Sequence, residues 1–171
     1  MKVGHYFEGR GYFYLMHLSY GTYTEDDREE HWNYARDNSL IGLDLPDEVP
    51  KNWNAMSNSA KQSLRLRRPH WFEHFEMFCN EMKVDDVVVA ANGQNSILGI
   101  GKVNKPQYEY CKELSEKRIF FDHVRSIKWD RAQNYDKRIQ LSTPLKGFDR
   151  TLLKVKANTR FWKILSDVDL F

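Results

Sequence analysis

Cysteine is scarce: 2 in 171 residues, Cys79 and Cys111. Two cysteines cannot build the disulfide framework of a small secreted scaffold, and they form no cluster that suggests zinc. That usage fits a reducing, cytoplasmic setting. Long apolar runs are missing, and the N-terminus carries no apolar segment of signal-peptide type, so no membrane partner is expected. Excess charge of either sign is missing too. With 26 Lys+Arg against 24 Asp+Glu the net charge is +2, so any contact with a polyanion must come from local patches. There is no GxxxxGK[ST] phosphate loop, and Gly99-Ile100-Gly101 lacks the third glycine of a dinucleotide fingerprint. No G-x-S-x-G nucleophile elbow appears, nor any internal repeat or low-complexity segment. No cofactor, metal site or catalytic residue is assigned.

What is present is aromatic. The 5 Trp, 9 Tyr and 10 Phe make up 14% of the chain, enough for a core with rings left over for a binding surface. The chain is organised around Lys83 to Val103, KVDDVVVAANGQNSILGIGKV. Two β-rich runs flank Asn92-Gly93, the strongest short-range hairpin signal. Val87 to Ala91 does not alternate, which predicts a strand buried on both faces. Gly99 and Gly101 share one face of the second strand. Paired glycines there suggest a bend, or the close approach of another backbone or a ligand, and hence a hollow beside them.

Gly11 to Tyr20 reads as a first strand. Thr24 is the expected N-cap of a helix with Asp26 and Asp27 in its first turn, running to about Arg36 and broken at Asp37-Asn38. Ser39 to Leu45 is a second short strand. Trp53 to Met82 reads as helical, with Ser57 or Ser59 as a cap. Pro69 opens a new helix, with Trp71, Phe75, Phe78 and Met82 on one face. Phe120 to Trp129 and Leu152 to Val155 are later strands, and Asn158 is expected to cap a final helix. The expectation is a single α+β domain over 1–171, with its core at about 12–129 and a C-terminal strand and helix at about 150–167. Its architecture should be a small curved mixed β-sheet or open β-barrel flanked by helices.

Two weaker constellations carry less. His70 and His74 stand four apart on a helix, but Trp71 occupies the place where a metalloprotease needs Glu, so surface histidines are the plainer reading. Asp85-Asp86, with Glu81, could serve a nuclease, but no E-x-K strand follows and a solvated strand entrance is the plainer reading. The remaining signal is basic and aromatic together. Arg65, Arg67 and Arg68 cluster between Trp53 and Trp71, and Arg125, Lys128, Arg131, Lys137 and Arg138 form a second group. Arginine and lysine contact phosphates, while flat rings stack on unpaired bases.

The order of these elements resembles a known family. His17-Leu18-Ser19-Tyr20 is similar to the strand-end Lys-Ser-Tyr of YTH domains, and Leu40-Ile41-Gly42-Leu43 to their I-G-W strand. The helix Phe72 to Met82 running into Lys83 to Val89 resembles M-K-x-G-D-x-V-V; Ile97 to Val103, with Tyr108 and Tyr110, resembles G-I-G-K-V and an aromatic pair; His123 to Trp129 resembles H-x-R-x-V-x-W. Together they resemble the EVE branch of the PUA-like superfamily, in particular the EVE-like N-terminal domains of McrB-type modification-dependent restriction proteins. The resemblance spans about Tyr12 to Trp129.

The resemblance implies a non-enzymatic DNA-binding specificity domain. It would read a methylated base, N6-methyladenine being the expected one, by flipping it into an aromatic cage. The partner would be methylated double-stranded DNA, with methylated or structured RNA as the alternative. A GTPase motor would lie in the same full-length chain, the domain alone being monomeric. The implied base pocket is Ser19, Tyr20, Leu43, Asp44, Trp53, Tyr108 and Tyr110; the implied backbone contacts are Arg65, Arg67, Arg68, Arg125 and Lys128. Two departures stand out. Leu43 replaces the family's Trp, so a cage wall must come from Trp53, Trp32 or Trp71, and Asp85 replaces a glycine before Asp86.

Overall fold

The computed structural model describes residues 1–17, 24–43, 52–116 and 121–170. The elements run β1 (Tyr12–His17), α1 (Glu25–Asp37), β2 (Leu40–Leu43), α2 (Asn58–Arg67), α3 (Pro69–Glu76), β3 (Val87–Asn92), β4 (Ser96–Val103), β5 (Glu109–Tyr110), α4 (Lys112–Glu116), β6 (His123–Ala132), β7 (Ile139–Gln140), β8 (Leu152–Lys156) and α5 (Arg160–Ser166). A 3-10 turn, Val3–Phe7, precedes β1. Among the described residues the strands form one sheet in the order β2-β6-β4-β3-β1-β8, with β5 beside β6 and β7 beside β4. The protein is mixed α+β, and its sheet curls strongly into an open half-barrel flanked by helices.

The hairpin is where the sequence puts it. Asn92 ends β3, Gly93 turns at φ 59°, and β4 returns antiparallel. Val87 to Ala91 are at most 1% exposed, because both faces of the sheet are covered. One face carries Tyr14, Met16, Val88 and Ala90 under α1, α2 and α3. The other carries Phe13, Leu15, Val87, Val89 and Val155 under the N-terminal turn, α5 and the 139–148 connection. Burial of each such aliphatic side chain contributes about 1.5–3 kcal/mol. β1 pairs with β3 in parallel, which requires a crossover; α1, β2, α2 and α3 supply it.

The helix ends follow their local chemistry. Thr24 and Asp27 form a reciprocal capping box on α1, satisfying two orphan N–H groups. Ser57 accepts from the Ala60 N–H at 3.2 Å and caps α2, and Pro69 opens α3. α3 then loosens into a π-helical turn over Met77–Glu81. Asn158 does not cap the last helix. It sits at φ 65° in the preceding turn, and Thr159 is the N-cap residue. Asp86 is not a solvated entrance residue either. It is buried, and accepts from the Lys83 N–H at 2.8 Å and the Tyr12 hydroxyl at 3.1 Å.

The twin glycines mark a bend, not a hollow. The β3–β4 register shifts between Ala90 and Ala91, and the β4–β6 register shifts between Ile100 and Gly101. One shift lies just before Gly99 and the other between Gly99 and Gly101, and such bulges add twist where the sheet curls. The space over the glycines is occupied by the protein itself. A Cβ on Gly99 would lie 2.6 Å from Trp32 Cη2, and one on Gly101 would lie 2.7 Å from Ile127 Cγ2 and from the Lys128 carbonyl. Trp32 and Trp129 meet edge to face there at 5.2 Å. Both indole N–H groups donate to backbone carbonyls, of Gln133 and Ala35. The hollow expected beside Gly99 and Gly101, sized for one unstacked base, is therefore filled by the protein's own side chains, and Trp32, a candidate cage wall, is a core residue.

Candidate functional site

The aromatic residues gather at another corner of the sheet. β6 begins between two short strands, and its first residue fixes a row: His123 is the register partner of Leu43 on β2 and of Tyr110 on β5. His123 is fully buried within a ring cluster. Tyr108 stacks on it at 5.7 Å, Tyr110 tilts over it at 5.2 Å, and Phe75 from α3 meets it edge-on at 4.8 Å. Asp122, equally buried, lies 3.5 Å from its Nε2. The cluster continues from Phe75 to Trp53 (5.4 Å) and from Trp53 to Phe72 (5.7 Å).

Tyr108 is held at both ends. Its hydroxyl donates to Asn52 Oδ1 at 3.1 Å and accepts from the Asn54 N–H at 3.0 Å, tying β5's approach to the turn that carries Trp53. Burial pushes its pKa up. Trp53 is fully buried, and its indole N–H meets no hydrogen-bond partner among the described residues. A buried donor left in that state is destabilising by about 1–3 kcal/mol until an acceptor reaches it.

Of the pocket residues expected from sequence, Leu43, Trp53, Tyr108 and Tyr110 belong to this corner. Leu43, Trp53 and Tyr108 are buried, while Tyr110 is half-buried. Ser19, Tyr20 and Asp44 lie outside the described residues. The segment 44–51 is bounded by Leu43 and Asn52, both at the cluster. Trp71 is half-buried on α3 against Phe75 and His74. His123 and Phe75 were not expected in the site. The alternation of β6 held the signal: His123 shares its face with Arg125 and Ile127, and Ile127 is a core residue.

That same alternation corrects Arg125. It is 1% exposed, and its guanidinium is spent on main-chain carbonyls. Nε donates to Phe78 O at 2.6 Å, Nη1 to Lys105 O and Pro106 O, and Nη2 to Cys79 O and Met82 O. Arg125 therefore clamps the π-helical end of α3 to the 104–108 loop that leads to Tyr108. It satisfies carbonyls a helix terminus leaves orphaned and has no donor left for a phosphate. Arg65, Arg67, Arg68 and Lys128 are exposed. Arg65 lies over the Phe72 ring at 5.5 Å, and Lys61, one turn earlier on α2, lies over Trp53 at 4.9 Å. The cationic helix and the aromatic cluster are thus one continuous structure. From Asn52 to Phe72 the chain has no Asp or Glu.

A curled mixed sheet whose aromatic corner is overlaid by a basic helix makes an α+β domain whose candidate site is a packed ring cluster bordered by cations. Residues 18–152 match the family model of a domain of unknown function, DUF8426, and the chain belongs to that family. The matched span contains the whole cluster, from Leu43 to His123. No curated protein matches the sequence. Among the described residues no helix is long and apolar enough to cross a membrane.

Proposed function

We propose that this domain reads a modified base in DNA. It takes an extruded nucleobase, N6-methyladenine in the first instance, at the corner formed by Leu43, Trp53, Tyr108 and Tyr110. The observation that carries the reading is the continuity of cation and ring. Lys61 and Arg65 on α2 lie over Trp53 and Phe72, and the rings run on through Phe75 to His123, Tyr108 and Tyr110. Such an arrangement suits a ligand with an anionic backbone and one flat, weakly polar end. A methyl on the exocyclic nitrogen adds apolar surface for a ring to cover, while the remaining N–H and ring nitrogens still need partners. The Trp53 indole N–H is a donor for a ring nitrogen.

In this reading the domain is a targeting module without catalysis of its own, and a restriction motor with a GTPase core acts on the DNA it selects. The resemblance of Lys83 to Val103 and His123 to Trp129 to EVE-like domains of McrB-type proteins supports that placement. The PUA-like identity of the fold belongs to the same proposal; the curled sheet is compatible with it.

The test uses fluorescently labelled duplexes of one sequence, with and without a single N6-methyladenine. Tyr110→Ala should weaken the methylated complex by about tenfold, the worth of one stacking ring, and leave the unmethylated complex unchanged. Arg67→Ala should weaken both and lower the steepness of the salt dependence by about one phosphate contact. Equal affinity of the wild type for both duplexes would reject the reading. A matched RNA that outcompetes both would move it to an RNA reader that uses the 2′-hydroxyl.

A further inference from the structure

Among the described residues three large apolar side chains are exposed: Met1 at 54%, Val84 at 44% and Leu66 at 84%. Leu66 stands out by its position as well as its exposure. It lies in the last turn of α2, between Arg65 and Arg67, with Arg68 next. The inner side of this helix is fixed by Leu64, which is 1% exposed, and by Lys61 and Arg65 over the rings. The outer side is Ser59, Gln62, Ser63 and Leu66, spaced by three and four and all exposed. That side is small, uncharged and polar until it reaches one leucine at a cationic end.

An exposed leucine alone asks for no explanation. This one ends the outer face of a helix in a stretch without an acid, and its cationic neighbours suit a polyanion. One side chain is also too little for a protein interface, which takes about 800 Å² from each partner. It is enough to enter a base step.

We propose that Leu66 is an insertion residue. When the domain meets duplex DNA, Arg67 and Arg68 engage phosphates, and Leu66 enters the stack where a nucleotide leaves it. Leucine is among the side chains suited to wedging between bases, because it replaces lost stacking area without needing a polar partner. This rests on the reading of the domain as a base-extruding DNA binder, and it adds the element that keeps the vacated space filled. The wedge is unnecessary to the pocket itself. It is needed only where a paired base must first be unpaired and unstacked.

That difference gives the experiment. Two methylated duplexes are compared: one fully paired, and one with an abasic site opposite the methylated adenine, so that extrusion is already favoured. Both carry 2-aminopurine beside the methylated base. Leu66→Ala should lower affinity for the paired duplex by about tenfold and for the abasic duplex by less than about threefold. It should also remove the 2-aminopurine fluorescence rise on the paired duplex, and Leu66→Phe should restore both. At 84% exposure, neither change disturbs the core. Equal losses on the two duplexes would make Leu66 an ordinary contact and overturn the wedge. So would no loss on either, which would leave the surface to another partner while the reader stands. A wild-type protein that binds neither duplex removes both proposals.

Discussion

Replacing Arg125 separates a structural clamp from a phosphate contact. The guanidinium makes five hydrogen bonds to main-chain carbonyls from a position 1% exposed. A hydrogen bond from a charged donor contributes about 1.5–3 kcal/mol, and a buried acceptor left unpaired is unfavourable by about 1–3 kcal/mol. These figures do not add, because the five bonds share one cation whose desolvation itself opposes burial by several kcal/mol. That opposition is visible in the arginine, whose pKa burial pulls down. Removing one side of such a buried arrangement is expected to destabilise the fold by about 3–5 kcal/mol. At this chain length each kcal/mol corresponds to about 2–4 °C, so Arg125→Met should lower Tm by about 6–20 °C. Arg125→Lys should recover only part of it, since one ammonium cannot span carbonyls from both the helix end and the loop. Denaturant unfolding followed by tryptophan fluorescence measures both variants beside Arg67→Ala, which should stay within about 0.5 kcal/mol of the wild type. An Arg125→Met protein of unchanged stability that has lost DNA affinity would refute the reasoning.

Gly42→Ala should destabilise by about 1–3 kcal/mol or more, since its Cβ would fall 1.9 Å from the Phe121 ring; thermal unfolding reads it. Thr24→Ala removes the capping box on α1 and should lower stability by about 1 kcal/mol by the same assay. Burial lowers the pKa of His17 and of His74 from 6.5 to about 4. The unfolded chain binds those protons first, so stability should be level above about pH 6.5, fall from there towards pH 4, and flatten with respect to these groups below it. His74→Leu should make that fall shallower in a pH series of denaturation curves; an unchanged slope would contradict the assignment. Tyr108→Phe frees Asn52 and the Asn54 N–H, and should loosen the turn carrying Trp53 with a cost of about 1 kcal/mol, measured by denaturation.

Local chemistry was legible wherever one residue type decides the backbone. Asn92-Gly93 makes the hairpin, Thr24 and Asp27 make the cap, and Pro69 opens α3. The unalternating run Val87 to Ala91 gave away a strand covered on both faces. Glycine was ambiguous because two causes leave the same letter. At Gly99 and Gly101 the space is taken by Trp32, Ile127 and the neighbouring strand, and only packing reveals that. Composition misplaced Arg125 for a similar reason, since a cation beside other cations reads as surface until the strand's parity turns it inward. His123 was legible only as the start of a strand motif, not as a site residue, because its neighbours come from α3, β2 and β5, which are distant in sequence. β5 and β7, two residues each, are too short to show any period.

The measurement that bears most directly on the account is a crystal structure of the domain with a duplex carrying one N6-methyladenine. The account predicts the methylated base out of the helix, its face against Tyr110 near Leu43 and a ring nitrogen within reach of the Trp53 indole N–H. A methylated base still stacked in the duplex, or seated anywhere other than the corner where β2, β5 and β6 meet, would contradict it.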